Sequence, residues 1–246
     1  MALIDDWKSQ AHGLIRASHD IFATTVVPTT ENTRHKQQFT GLTLLARTVS
    51  NLKGALILLD SRRVVEARVL ARCCIENALW VAGLAAEGEA FIREMLSDDA
   101  HHRRGRGERF FASRAPLDNE TSAKLRARLR EIGEAYQNPT QLNPGGVAKR
   151  SNTSSQIYIF YEKLSADAAH PSFDALNRYV VGDDEIAAEP DVHEAEIVET
   201  LEYLSMAVFG VCFAVNDLLG GTPGAESLNG LAVRHRELSN QTHGQG

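Results

Sequence analysis

Apolar residues recur three and four positions apart over most of the chain, the period of a helix that buries one face. Near the start, Leu3, Ile4, Trp7, Ala11, Leu14, Ile15, Ile21 and Phe22 predict an amphipathic helix that ends before Val26-Val27-Pro28. His12, Arg16 and His19 fall on its other face and read as a solvated stripe. A turn at 28–32 leads to a second helix over 36–59. Asp60 or Ser61 is the expected cap of a third, running to Glu87 with Val64, Val65, Val69, Leu70, Cys73, Leu79, Trp80 and Leu84 on its buried side.

A fourth helix is predicted over 89–114, broken or frayed at Gly105 and Gly107, and a fifth with a strongly charged face over 119–136. The Asn, Pro, Gly and Ser-rich stretch 137–153 reads as a flexible connection. Ile157, Phe160, Tyr161, Leu164 and Ala168 then form the inner face of a helix stopped at His170, because Pro171 disfavours the α conformation in the residue before it. Ser172 caps a short helix reaching Val180. After an acidic loop at 182–190, Asp191 with Glu194 starts a last helix, whose stripe Ile197, Leu201, Leu204, Val208, Val211 and Val215 ends at Gly220-Gly221. Residues 223–246, rich in Gly, Ser, Asn and Gln, read as a loose C-terminal tail. No segment alternates as a strand does. The expected fold is all-α, a bundle of about six or seven helices in one domain over 1–222.

The chain has 246 residues and a net charge of -6, which argues against broad nonspecific nucleic-acid binding. Three cysteines, Cys73, Cys74 and Cys212, lie in apolar stretches without metal-ligand spacing and read as buried thiols of a reducing, cytoplasmic setting. The acidic start lacks the basic region of a secretory signal. The longest unbroken apolar runs, 78–86 and 206–215, are about half what a membrane span requires, so no membrane association is expected.

Chemistry concentrates in two places. The third helix carries Arg62, Arg63, Glu66, Arg68, Arg72, Glu76 and Asn77 among its apolar residues, and Arg72 and Glu76 are spaced to pair on one face. An arginine held by a carboxylate suits a phosphate or carboxylate ligand. The candidate polar site joins Arg72, Glu76 and Asn77 to Tyr161, Ser165, Asp167 and His170, with Asp167 and the helix end favouring a protonated His170. Ser165 and His170 lie on different helix faces and form no nucleophile and base pair.

Elsewhere, Arg103, Arg104, Arg106, Arg109 and Arg114 surround Phe110 and Phe111, a mixture of charge and stacking surface that suits a single strand or phosphate and equally suits a solvated helix end. Asp98 with His101, Asp99 with His102, and Asp167 with His170 repeat Asp-x-x-His, but no Glu-x-x-His occurs, so no metal and no cofactor is expected. No nucleophile elbow, phosphate-binding glycine loop or dinucleotide fingerprint is present.

The stretch from Arg68 to Trp80, Arg-Val-Leu-Ala-Arg-Cys-Cys-Ile-Glu-Asn-Ala-Leu-Trp, resembles the arginine and glutamate helix of a bacterial family, the Domain of Unknown Function family five-six-seven-seven. The stretch from Tyr161 to Ser172 is similar to that family's Tyr-x-x-Leu-Ser segment ending in His-Pro. The resemblance spans 42–180 and implies a helical fold without an assigned activity. Such proteins also resemble HEPN bundles, many of them RNA-cleaving toxins or defence components with an Arg-x(4 to 6)-His motif. That spacing falls here at Arg236 to His243. A divergent site would use His170 as acid or base and Arg72 to steady phosphate.

Three expectations follow: a small polar or anion-binding site, an RNA-cleaving activity, or a noncatalytic module that dimerises through apolar faces at 42–59 and 206–219.

Overall fold

The computed structural model describes residues 2–27, 36–113, 116–151, 155–182 and 185–244. The expected turn at 28–32 lies outside them. Among the described residues ten α-helices follow in chain order: α1 (Ala2–Thr24), α2 (Gln37–Asp60), α3 (Val64–Glu87), α4 (Glu89–Ala112), α5 (Asn119–Ala135), α6 (Pro144–Arg150), α7 (Ser155–Leu164), α8 (Phe173–Asn177), α9 (Glu194–Leu218) and α10 (Ser227–His243). The fold is all-α, as the periodicity predicts. A two-residue antiparallel pair is present: β1 (Val180–Val181) takes the end of the short helix expected to reach Val180, which stops at Asn177, and β2 (Glu185–Ile186) falls in the expected acidic loop.

The core is a layer of long helices in which α9 lies against α1, α2 and α3. Trp7, Leu14, Leu45, Leu52, Ile75, Leu79, Leu201 and Leu204 have no exposed surface, and burying each such side chain contributes about 1.5–3 kcal/mol. His12, Arg16 and His19 are exposed, as a solvated stripe should be. Taken whole, α2, α3 and α9 are long and apolar enough to cross a membrane, because scattered polar residues interrupt the short apolar runs without lowering the average far. Here they pack on one another at the centre of the bundle.

Four expectations about local structure change. First, neither Asp60 nor Ser61 caps α3, whose preceding residue is Arg63. The backbone N–H of Arg63 donates to Leu58 O and that of Arg62 to Leu59 O, closing α2 with a Schellman turn that holds Arg62 at φ 55°. Second, α4 runs unbroken past Gly105 and Gly107, and a side chain at 107 would meet Leu129 Cδ2 of α5 at 2.6 Å. That glycine lets the two helices close. Third, part of the expected flexible connection is α6, capped by the Asn143 side chain. Fourth, α9 starts two residues later than expected, in a capping box between His193 and Glu196.

The largest difference is at the C-terminus. Residues 223–243 form a short 3-10 turn (Pro223–Ala225) and α10 rather than a loose tail. Leu228 and Leu238 are buried, Leu231 packs where Gly13 of α1 leaves room, and Trp7 Nε1 donates to Thr242 Oγ1 at 3.2 Å. The polar composition concealed an apolar stripe of three leucines, which becomes stable only against α1 and α9.

Candidate functional site

Arg68, Arg72 and Glu76 stand four apart on α3, so all three project from one face toward α7 and the turn after it. That turn is a single π-helical turn, Ser165–Ala169, closed by the His170 N–H donating to Ser165 O at 3.1 Å. Such turns carry an extra residue and often occur at functional sites. His170 leaves the helix in extended conformation, as the residue before Pro171 must. Ser172 then caps α8 by accepting from Ala175 N–H.

Arg72 is the centre of the expected cluster. Its Nε donates to Ser165 Oγ at 2.8 Å, an Nη donates to Tyr161 Oη at 2.6 Å, and the guanidinium stacks 4.7 Å from the Tyr161 ring centroid. Its other Nη lies 3.4 Å from Glu76 Oε2. Burial and the nearby Glu76 raise the Tyr161 pKa against the opposing pull of Arg72, so the phenol keeps its proton at neutral pH.

The remaining sequence-derived members go elsewhere. Asn77 points to the other side of α3, where its amide donates to Thr48 Oγ1 of α2 at 3.0 Å. His170 is exposed. Asp167 does not serve it: the carboxylate accepts from Arg68 Nη1 and, at 2.9 Å, from Arg178 Nε. The extra residue of the π turn carries Asp167 inward while the Pro171 corner turns His170 out.

Around Asp167 lies a network that sequence reasoning did not assemble. Arg68, with only 3% of its side chain exposed, donates to Asp167, to Glu199 Oε2 at 2.6 Å and to Thr200 Oγ1 at 3.2 Å. Arg178 joins Asp167 to Glu196, 2.6 Å away. Lys163 Nζ, at 2.5 Å, and Tyr203 Oη, at 2.9 Å, complete Glu199.

Burial pushes the Asp167 and Glu199 carboxyls up. The arginines around Asp167, and Lys163, Tyr203 and Arg68 around Glu199, outweigh it and hold both below their ordinary values. Glu199 and Glu202 are both engaged: Glu202 is 9% exposed and receives Ser239 Oγ and His243 Nε2. The available signal was the spacing of Glu196, Glu199 and Tyr203, a polar line along an otherwise apolar helix.

The carboxylates of the network are occupied by arginines and lysine, and among the described residues no three His, Cys, Asp or Glu side chains gather as a metal would need. Both inner thiols are buried and protonated at neutral pH: burial pushes Cys74 far up and Cys212 to about 11.

Fold and network together define an all-α bundle whose central helices are fastened by buried arginine–carboxylate pairs. Residues 38–187, well over half of the chain, match the family of unknown function DUF5677, and the chain belongs to that family. That stretch contains α3, α7, the π turn and Arg178. No curated protein and no solved structure matches the chain.

Proposed function

We propose that this is a noncatalytic helical protein that binds a small oxyanion, a carboxylate or phosphate group, at Arg72, Ser165 and Tyr161. The observation that carries this reading is the company Arg72 keeps. Unlike Arg68, it is held mainly by two neutral hydroxyls, and among the described residues its charge is opposed by Glu76 alone, at 3.4 Å. Ser165 Oγ accepts from Arg72 and is hydrogen-bonded to the Tyr161 hydroxyl, which stays protonated, so the two hydroxyls keep one proton between them to donate. An oxyanion in place of Glu76 would meet the guanidinium and one hydroxyl donor on one side. A guanidinium takes no proton, so Ser165 gains no base from Arg72, which favours binding over nucleophilic catalysis.

Titration calorimetry with inorganic phosphate, sulfate, acetate and succinate tests this. Saturable binding of one of them, weakened about tenfold or more in Arg72→Gln, is the expected result. Equal responses of the wild type and Arg72→Gln to every anion would remove the proposal.

RNA cleavage is a second reading, favoured by the order of α10. Arg236 and His243 are seven residues apart, two turns, and so share a helix face; His243 Nε2 sits 3.1 Å from Glu202 Oε2. RNA degradation abolished by His243→Ala would support it, and RNA left intact across pH and divalent metals would end it.

A further inference from the structure

The α4 and α5 hairpin stands apart from the bundle, because α5 packs on α4 and only Ile132 of its residues is buried. Along the hairpin runs an open groove of about 620 Å³, within the range of ligand sites. Its floor is Leu117, Leu125, Leu129, Ile132 and Phe110, and its rim is Arg103, Arg106, Lys124 and Arg128. Phe110 is 40% exposed there.

The rim charges are not equivalent. Arg103 is paired with Asp99, Lys124 with Glu120 and Arg128 with Glu131, each on its own helix. Arg106 forms no ion pair among the described residues and is exposed. Between His101 and Ala135 the sequence has nine arginines and lysines against five carboxylates, a positive region on a chain of net charge -6. The groove therefore offers an apolar trough with one uncommitted cation at its edge.

We infer that this groove binds a single-chain aliphatic anion, such as a medium-chain fatty acid, with the alkyl chain on Leu117, Leu125 and Leu129 and the carboxylate on Arg106. Two features select this occupant. Four of the five floor residues are aliphatic and the second phenylalanine, Phe111, is covered by Arg126 at 4.3 Å, so successive nucleic-acid bases would find one ring to stack on. A second copy docking groove to groove would set the same positive rim against itself, since a two-fold interface repeats one patch on both sides. An anion with an apolar tail complements both the floor and the rim. The site is separate from Arg72 and does not depend on the reading given for it.

Calorimetry with monomeric dodecanoate tests the inference, with decanoate, dodecanol and acetate for comparison. One dodecanoate per groove is expected, tightening about threefold for each methylene added between decanoate and dodecanoate, while any response to acetate belongs to the Arg72 site and disappears in Arg72→Gln. Arg106→Gln, on an exposed side chain, should weaken dodecanoate about fivefold and leave dodecanol unchanged. Leu125→Asp should remove both while circular dichroism shows the helices intact. Arg72→Gln should bind dodecanoate as the wild type does.

Any of four results overturns the inference: no saturable binding below the micellar range, equal affinity in Arg106→Gln, loss in Arg72→Gln, or binding confined to anionic vesicles or a single-stranded RNA while free dodecanoate is ignored.

Discussion

Arginines are used in opposite ways in the α3 to α9 network and in the α4 and α5 hairpin. Arg68 and Arg178 reach carboxylates on other elements, tying α3, the π turn, the segment after α8 and α9 into one unit. Arg103, Arg104 and Arg128 reach carboxylates three or four residues away on their own helices. The first arrangement is buried and constrains which helices meet; the second is exposed and constrains almost nothing beyond a helix turn. An ion pair therefore informs on architecture only when its partners are far apart in sequence and removed from water.

The sharpest way to break this contrast is Arg68→Ala. It strands Asp167 and Glu199 beside one fewer cation, and a loss of about 3–5 kcal/mol in denaturant unfolding is expected; a loss no larger than that of a surface pair would void the contrast. Next, Gly107→Ala would force Leu129 away from α4, costing about 1–3 kcal/mol by overpacking and loosening the hairpin first. Amide exchange should show α5 opening while α3 and α9 stay protected.

Acid comes third. Asp167 and Glu199 titrate below their ordinary values in the fold, so their contribution is complete above the unfolded carboxylate range, near about pH 4, and is lost as pH falls through the lowered values. Stability measured downward from pH 6 should fall in that range for the wild type and more shallowly for Asp167→Asn. Smallest of all, Lys124→Ala removes a pair whose members are 74% and 77% exposed and should leave the unfolding midpoint in place.

Much of the scaffold was legible because α1 and α5 carry strong periodicity and α2, α3 and α9 long apolar stripes, and the ends of these helices fall close to the expected ones; α4 was legible from its boundaries, since its apolar residues form no one face. The Arg72 surroundings were legible in part: Tyr161, Ser165 and Glu76 do lie around it. Asn77 was misplaced because one residue on α3 rotates a side chain by about 100°. Asp167 was assigned to His170 by assuming a regular helix, and a π turn leaves no mark in apolar spacing. Arg178 and Glu196 meet only after α8 and the acidic loop have reversed the chain. Helix α10 stayed hidden because its own composition does not stabilise it; the faces it covers do.

The join between α1 and α10 also gives the molecule an optical consequence. Of the two tryptophans, Trp7 is fully buried at that join with His235 edge-on at 5.2 Å, while Trp80 lies at the root of α4, 6.3 Å from Phe91. Burial holds the His235 pKa below its ordinary value against the opposing pull of Glu202. A protonated imidazole quenches an adjacent indole, so acid should dim Trp7 only below the usual histidine range and leave Trp80 bright. Each of the two joints thus carries its own fluorescent reporter, and Trp80→Phe and Trp7→Phe would let the release of the terminal helix and of the hairpin be timed separately.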